Sequence, residues 1–492
     1  MESYFDGLSL VRLLFQRGLA AIYLIAFVAA LNQFRPLLGE QGLLPVPAFL
    51  KRVSFRDAPS LFHWYYSDRL FVAVAWAGIV LALIALCGVS ERGSLWLSIA
   101  TWLTLWVLYL SIVNVGQTFY SFGWESMLLE AGFFAAFLGP RHLEPSPIPI
   151  LILRWMLFRV ELGAGLIKLR HDPCWRDLTC LFYHYETQPL PNPLSWYFHR
   201  LPKLFHKASV LFSHFVQLVA PFGLFAPQPG AAIAAGFIIF HQVWLIISGN
   251  YSWLNWLTVV LGLVGLSDAA VLALLPVTLP ELMPRPTSHD ILHYILAAAA
   301  VVLSIQPALN LLSRNQLMNF SYNRFHLVNT YGAFGAITKE RYEIVLEGTL
   351  AEVITPQARW EAYEFKAKPG DPMRRPPQIA PYHLRLDWLM WFLPFSVVVG
   401  RNGIIARGSE RWFERFVARL LEGDRPTLKL LRRNPFPGAP PKFIRARFYL
   451  YQYTDREERR KSGAWWKRTL IDEYLPPVSR ADLEETELSS RS

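Results

Sequence analysis

This sequence has little charge and little cysteine for its length. Only 17% of its 492 residues are charged and 53% are hydrophobic, whereas a soluble protein is about a quarter charged. Three cysteines occur, and two of them lie close together in mid-chain. The sequence also lacks a G-x-S-x-G elbow, a P-loop and a dinucleotide fingerprint, which excludes the recognisable serine hydrolases and nucleotide-binding enzymes. With 18 tryptophans, the composition favours a protein with many membrane–water boundaries.

Nine apolar runs have a length that suits a membrane-spanning helix, which needs about 20 residues. We therefore predict a polytopic α-helical membrane protein with about eight or nine transmembrane helices. Arg12 and Arg17 precede the apolar part of the first run and no cleavage site follows it, so we interpret this run as a retained anchor. The runs lie near 12–31, 69–88, 94–115, 121–139, 149–169, 208–226, 230–249, 251–275 and 290–312.

The charge distribution divides the chain into two parts. Residues 1–316 hold 19 Lys+Arg and 16 Asp+Glu, and residues 317–492 hold 29 and 21. We predict a transmembrane helical domain over 1–316, which includes a loop at 171–202, and an extramembrane domain over 317–478. The acidic, serine-bearing tail at 479–492 is typical of disorder.

The second part shows strand patterns, which predict a β-rich (α+β) domain. Alternating apolar residues predict strands at 342–347, 360–365 and 445–451. Residues 409–421 have one apolar helical face, with Ser409 as an N-cap. The apolar stretch 386–399 contains Pro394 and is too short to span a bilayer, so it forms either an interfacial helix or a buried strand, of which we favour the helix.

Five sequence blocks resemble one known family. They are WESMLLEAGF at 124–133, DPCWRDLTCLFYHYETQPLPNP at 172–193, FHLVNTYGAFGAITKERYEIVLEGT at 325–349, LDWLMWF at 386–392, and NPF with PPKFIRARFYLYQYT within 434–454. In type and order they are similar to the lipase maturation factors, membrane proteins that help secreted lipases fold. The resemblance implies that the membrane part anchors the protein and that the loop at 171–202 and the C-terminal domain meet the client.

The same resemblance implies where the protein acts and with which partners. It places the C-terminal domain outside the cytoplasm: in the endoplasmic reticulum for a eukaryotic chain, or across the inner membrane for a bacterial one. The expected partners are the lipid bilayer and a secreted lipase or another secreted client. Basic residues are dispersed among acids, so no nucleic acid is expected. No cofactor and no metal is expected, since His171 and His184 lack the spacing of a four-ligand zinc site.

Charged residues interrupt the fourth and fifth apolar runs. At bilayer depth such residues are costly, by about 2.5–3.5 kcal/mol each on insertion scales, and usually pair. We predict that the two helices touch and share ion pairs, which either lock the helices together or line a polar cavity. The three acids are Glu125, Glu130 and Glu161, and the three bases are Arg154, Arg159 and Lys168.

Lys168 supports an alternative function. It lies in GAGLIKL at 163–169, a stretch faintly similar to a helix end of vitamin K-dependent carboxylase-type membrane proteins, in which the matching lysine is the proposed base. A lysine in an apolar pocket can become a base. The alternative is therefore a membrane enzyme with Lys168 as base and Glu161 or His184 in support, although a lysine at a helix end can also simply extend toward the headgroups.

The mid-chain loop contains the other candidate residues. Cys174 and Cys180 form either a structural disulfide, which we favour, or two buried thiols, because the C-x-x-C spacing of thiol oxidoreductases is absent. His184, Glu186 and Gln188 alternate with other residues, so an extended stretch would point all three the same way. The aromatic residues around them either pack inward or accept apolar surface from a client. The candidate client-binding residues are Trp175, Tyr183, His184, Tyr185 and Glu186.

Overall fold

The computed structural model describes residues 7–279, 281–400, 403–406 and 410–483. The helices are α1 Ser9–Leu38, α2 Val46–Leu50, α3 Asp68–Leu86, α4 Leu95–Asn114, α5 Gly123–Ala135, α6 Pro147–Arg170, α7 Pro173–Arg176, α8 His184–Thr187, α9 Ser195–His199, α10 Lys203–Leu218, α11 Ala220–Gly223, α12 Gly230–Ser248, α13 Leu254–Gly262, α14 Asp268–Leu272, α15 Thr287–Leu312, α16 Arg385–Phe392, α17 Arg411–Leu421, α18 Arg425–Leu428 and α19 Arg456–Ser462. The strands are β1 Arg341–Thr349, β2 Glu361–Ala362, β3 Val397–Gly400, β4 Gly403–Ala406, β5 Phe443–Tyr453 and β6 Trp466–Val478.

Each of the nine apolar runs contains a helix, which confirms the helical membrane domain. Among the described residues, five helices are long and apolar enough to cross a bilayer: α1, α3, α4, α12 and α15. Three of the other helices are shorter than the runs that predicted them, with 13 residues in α5, 16 in α10 and 9 in α13. The fourth, α6, has 24 residues but carries the charged side chains discussed above. Length and hydropathy together therefore support five spans, fewer than the eight or nine predicted.

The first helix, α1, lies at the centre of the membrane domain and packs against α3, α5 and α13. Its close approach to α3 depends on Gly78, where an added Cβ would lie 2.4 Å from the ring of Phe27. The N-terminus of α1 has no side-chain cap of its own. Asp268 of α14 supplies one, since its carboxylate accepts the backbone N–H groups of Ser9 and Leu10 at 2.8 Å each. A carboxylate at this position complements the helix dipole and satisfies otherwise unpaired donors.

The C-terminal domain is built on an antiparallel sheet with strand order β2-β1-β5-β6, and a separate hairpin pairs β3 with β4. This confirms the β-rich C-terminal domain. Helix α17 presents its apolar face to β5 and β6, with Phe413 packed edge-on against Tyr474 at 5.5 Å between ring centroids. The strand predicted at 342–347 is β1, but it is buried on both faces rather than one. Its polar face is covered because Arg341 and Glu343 bind groups from other segments.

Several other sequence predictions change in the structure. The strand predicted at 360–365 shortens to the two residues of β2, and β6, which pairs along β5, was not predicted. The apolar stretch 386–399 begins as α16, but this helix is largely buried rather than interfacial, and the stretch ends in β3. Ser409, the predicted N-cap of α17, lies outside the described residues. The tail predicted to be disordered begins at 479, but residues 480–483 are helical, and the remainder of the tail lies outside the described residues.

Candidate functional site

A chemically distinctive cavity lies beside Lys168. Its volume is about 390 Å³, and it is bounded by α6, α10, α12 and the mid-chain loop. We call it the Lys168 cavity. Aromatic and aliphatic side chains form most of its wall, including Trp175, Leu181, Phe205, Phe212, Phe240 and Trp244. The polar groups that reach it include Lys168, His184, His241, Tyr251 and Asn255. An apolar cavity of this size with a few convergent polar groups has the character of a ligand site.

Lys168 is buried at the end of α6, with 5% of its surface exposed. Its Nζ donates to Gln217 Oε1 at 2.7 Å and lies 4.7 Å from the ring centroid of Trp175. Among the described residues, no carboxylate oxygen lies within 4.0 Å of Nζ. Lys168 is therefore a buried cation held by a neutral amide and an aromatic face, with hydrogen-bonding capacity left over.

Glu161 lies seven residues before Lys168 on α6 and is hydrogen-bonded to a series of amide side chains. Gln242 donates to Glu161 Oε1 at 2.7 Å, and Asn255 donates to Gln242 Oε1 at 2.6 Å. These three side chains line a small void of about 50 Å³, which Lys168 and Gln217 also line. The predicted partnership of Glu161 and Lys168 is thus indirect, because amide side chains stand between the acid and the base.

His184 forms the loop side of the cavity. Its Nε2 lies 2.9 Å from the hydroxyl of Tyr251, which itself donates to Gln188 Oε1 at 2.5 Å. Because that hydroxyl has a single proton, His184 must donate through Nε2–H. Burial, with a smaller contribution from the nearby Lys168 charge, lowers the pKa of His184 to about 3, so the ring is neutral at physiological pH. Across His184 and Phe334 lies a further cavity of about 290 Å³, lined also by Trp391 and Phe395 of the C-terminal domain.

The predicted client-binding residues lie mostly in the interior. Trp175, His184 and Tyr185 are buried, whereas Tyr183 and Glu186 are partly buried. Trp175 donates to the carbonyl of Phe334 at 2.9 Å, and Glu186 accepts the backbone N–H of Tyr453 at 2.7 Å. In this conformation the aromatic residues pack inward, the first of the two alternatives raised by the sequence, and a direct role in client binding stays a prediction.

The mid-chain loop is helical where an extended stretch was considered. Residues His184–Thr187 form the short helix α8. His184 and Gln188 nevertheless converge on the hydroxyl of Tyr251, whereas Glu186 contacts the backbone of Tyr453. Cys174 and Cys180 form a disulfide, which confirms the favoured interpretation. The disulfide packs together with Trp175 and with Val210 of α10, and it closes the segment between residues 174 and 180.

Arg341 joins this loop to the C-terminal domain. The buried guanidinium donates to the carbonyls of Glu186 at 3.1 Å, Gln188 at 2.5 Å and Pro189 at 3.0 Å. It also pairs with Glu343 at 2.6 Å, whose other oxygen lies 2.5 Å from Lys368 Nζ. The guanidinium is a planar fork of five donors, so it can bond three carbonyls and a carboxylate at once, which is more acceptors than the three donors of a lysine can serve. The loop therefore acts as the surface on which the β domain is seated.

The two acids of α5 hold segments that lie about two hundred residues or more further along the chain. Glu130 pairs with Arg159 of α6 and accepts the backbone N–H of Asn329 at 2.8 Å and the hydroxyl of Tyr331 at 2.8 Å. Glu125 pairs with Arg385 of α16 at 2.7 Å and accepts the hydroxyl of Tyr109. Four of the sequence blocks that carry the resemblance thus meet around these two carboxylates and the loop.

Of the six charges predicted to pair between the fourth and fifth runs, two pair with each other. Glu130 and Arg159 form the one pair that crosses between α5 and α6 within the described residues. Glu125 pairs instead with Arg385, and Arg154 donates to the carbonyls of Val264 at 2.7 Å and Leu224 at 3.2 Å. Helices α5 and α6 do touch. The predicted contact and ion pairing between the two helices are therefore confirmed for one pair, because carbonyls, amides and a distant arginine bind the other charged groups.

Sequence reasoning missed the amide and histidine side chains of the site. Gln217, His241, Gln242 and Asn255 are buried polar residues within apolar helices. This was the available signal, because a polar side chain at bilayer depth needs a partner and usually faces the protein interior. The residues that they face could not be read from the sequence, since α10, α12 and α13 contact α6 only in the folded chain.

The fold and these sites define a class: an integral membrane protein whose helical domain carries a β-sheet domain seated on a disulfide-closed loop. The comparisons with known proteins agree. Residues 10–273 match the family model described as the lipase maturation factor transmembrane domain, and residues 327–476 match the lipase maturation factor C-terminal domain. The chain belongs to the lipase maturation factor family, which confirms the resemblance seen in the sequence.

Curated relatives match nearly the whole chain. It is 41% identical to Lipase maturation factor 1 of Mus musculus, over 97% of this chain and 88% of that protein. It is 40% identical to Lipase maturation factor 1 of Homo sapiens, over 96% and 88%. It is 28% identical to Lipase maturation factor 2 of Xenopus tropicalis, over 96% and 83%. No solved structure matches the chain.

Proposed function

We propose that this protein assists the maturation of a secreted lipase from the membrane of the endoplasmic reticulum, or from the inner membrane of a bacterium. The observation that carries the proposal is the 41% identity to Lipase maturation factor 1 over 97% of the chain, with both family domains present. The membrane helices anchor the protein, and the β domain with the loop at 171–202 faces the compartment that receives the client.

The buried junction supports this division of labour. Arg341 fixes the β domain to the loop through three backbone carbonyls, and Arg385 fixes it to α5 through Glu125. A domain held this rigidly can present a surface to a folding client without rearranging itself, so little of the interaction energy is spent on ordering the factor.

The proposal is tested by complementation. The chain is expressed in cells that lack their own Lipase maturation factor 1, together with a secreted lipase, and lipase activity in the medium is divided by secreted lipase mass. We expect this ratio to rise toward the value obtained with the mouse relative. Protease protection of a C-terminal tag in sealed microsomes tests the orientation. Correct insertion with no gain in the ratio would contradict the proposed function.

A second candidate, the membrane enzyme with Lys168 as base, is favoured by one observation: Lys168 opens onto a cavity of about 390 Å³ rather than being closed off by a carboxylate. Lys168→Arg separates the candidates, because arginine keeps the positive charge but cannot serve as a base near neutral pH. Loss of the activity ratio in a folded, inserted Lys168→Arg protein is the result that the enzyme requires. A preserved ratio is the result expected of a folding factor.

A further inference from the structure

The polar end of the Lys168 cavity has cationic hydrogen-bonding capacity that the protein does not fill. An ammonium group has three donors, and Lys168 Nζ has one hydrogen bond to a protein acceptor, Gln217 Oε1, in the described residues. His241, 4% exposed, also lines the cavity, and its buried Nδ1 has no hydrogen-bond partner in the part of the chain that the structure describes. Buried donors and acceptors are nearly always satisfied, so this end of the cavity has the chemistry to receive an acceptor from outside the chain.

The rest of the cavity suits a hydrocarbon chain. Phe212, Phe240 and Trp244 line it together with Leu181 and Leu245. No carboxylate is among the described residues that line the cavity, and Glu161 lines the small void of about 50 Å³ instead. A ligand with an anionic head and an apolar tail would therefore match the one positive group and the apolar wall at the same time.

The mouth of the cavity opens on a surface that lipid would cover. Phe205 and Ala208 of α10 and Phe240 of α12 line the cavity and are exposed, Phe240 by 59%. Helix α12 is one of the candidate membrane spans, and its exposed side chains at this surface, such as Phe237, are apolar. An exposed apolar face on a spanning helix contacts acyl chains, so the ligand would enter sideways from the bilayer and not from water.

We propose that the Lys168 cavity binds a long-chain fatty acid, with its carboxylate on Lys168 Nζ and its alkyl chain between α10 and α12. The carboxylate commits the proposal to free fatty acids, because an esterified lipid has no charge at the position of that contact. A charge-assisted hydrogen bond in a dry site is among the stronger single contacts a protein can make. The proposal concerns binding alone and does not depend on whether the chain matures a lipase.

The test uses the full chain purified in detergent and a photoreactive, alkyne-tagged palmitate. We expect saturable crosslinking to peptides of α10 and α12, which unlabelled palmitate prevents and methyl palmitate does not. Lys168→Met should weaken binding by about tenfold or more, since it removes a hydrogen bond between charged groups. Lys207→Met is the matched control, because Lys207 is an exposed lysine of α10 that does not line the cavity.

A steric variant keeps the test decisive if Lys168→Met folds poorly. Ala208→Trp places an indole at the mouth and leaves Lys168 intact, and we expect it to block crosslinking. Gly236→Trp is its control, since a Cβ at Gly236 meets nothing within 4 Å and the residue lies on α12 away from the cavity. Folding of each variant is checked by elution as a single species and by thermal unfolding.

Three results would overturn the proposal. Equal competition by methyl palmitate and palmitate would mean that any acyl chain fills the groove without using Lys168. Competition by a lysophosphatidate but not by palmitate would assign the site to a phosphate headgroup instead of a carboxylate. Crosslinking that is unchanged in a folded Ala208→Trp protein would place the label elsewhere on the surface and would also reject the cavity.

Discussion

The buried charges of this protein fall into two regions with opposite properties. At the junction between the membrane and β domains, Glu125, Glu130 and Glu343 each contact a cation and at least one further donor. At the Lys168 cavity, the charge is held by an amide and a ring beside about 390 Å³ of space. A buried charge that is fully paired fixes one arrangement of the chain, whereas a buried charge beside space is a candidate for binding.

The same contrast separates two kinds of sequence motif. The sequence blocks that contain Glu125, Glu130 and Arg341 contact other blocks of the chain. They join segments that are far apart in sequence, for example the 260 residues between Glu125 and Arg385, which are hydrogen-bonded. The GAGLIKL stretch instead forms part of the Lys168 cavity. Gly165 has no side chain, so α6 can lie close against Gln217 and Leu218 of α10. Four predictions test this distinction, beginning with the largest expected effect.

Breaking the Glu130 cluster should cost the most. Glu130→Gln leaves Arg159 as a buried, unpaired cation and weakens the bonds to Asn329 and Tyr331. Removing one partner of a buried pair costs about 3–5 kcal/mol, so we expect loss of most of the folded, detergent-stable protein. Fluorescence-detected size-exclusion chromatography with a thermal ramp measures it. Glu144→Gln, at a side chain that is 60% exposed, should behave like the wild type; an equal loss there would refute the explanation.

Arg341→Met should detach the β domain from the loop. The substitution leaves the carbonyls of Glu186, Gln188 and Pro189 without their donor, but Glu343 keeps Lys368 as a partner. Each hydrogen bond to a charged group contributes about 1.5–3 kcal/mol. Because Glu343 keeps Lys368, no buried charge is left without a partner, and we therefore expect a smaller loss than for Glu130→Gln. Limited proteolysis should cut between the domains sooner than in the wild type. An unchanged digestion pattern would show that the junction does not depend on this arginine.

Cys174→Ser should loosen the loop without unfolding the membrane domain. The disulfide closes a loop with a sequence separation of 6, and for so short a loop the chain-entropy model gives about 2 kcal/mol. We expect a lower unfolding temperature and one new thiol, Cys180, that labels after denaturation under non-reducing conditions. If the two cysteines were not bonded, the wild type would label three thiols and the variant two, so one thiol fewer in the variant than in the wild type would contradict the disulfide.

Acidification should produce the smallest effect. Burial lowers the pKa of His184 to about 3, against about 6.5 for an exposed histidine. The unfolded chain therefore binds more protons below pH 6.5, and stability falls as the pH decreases from about 7 toward 3. Between pH 7 and pH 5 we expect His184 to account for about 1–2 kcal/mol. His199, whose pKa burial lowers to about 4, acts in the same direction.

His184→Gln isolates that contribution, because His199 and the remaining histidines are common to both proteins. The unfolding temperature of the variant should depend less steeply on pH between 7 and 5 than that of the wild type. A slope that is as steep in His184→Gln as in the wild type would show that His184 does not carry this dependence.

The local pattern of apolar and polar residues predicted those helices and strands whose identity depends on a short segment of the sequence. The helical membrane domain, the strands β1 and β5, and helix α17 follow from hydrophobic periodicity. Periodicity did not find β6, whose 13 residues include four charged side chains and Pro476 and Pro477; these residues argue against a strand unless a neighbour such as β5 pairs with it. The two faces of β1 were likewise misjudged, because the loop that covers its polar face lies about 150 residues earlier.

The sequence by itself determined that this protein is a membrane protein with a β-rich second domain and that it belongs to one family. These features follow from the distribution of apolar residues along the chain and from the order of its motifs, and both can be read without the fold. Only the tertiary structure decided which charges pair and which remain beside a cavity. Glu125 pairs with Arg385 and not with the bases of α6, and Lys168 donates its hydrogen bond to Gln217. Electrostatic partnership depends on distances in space between residues remote in sequence, and no local spacing rule contains that information.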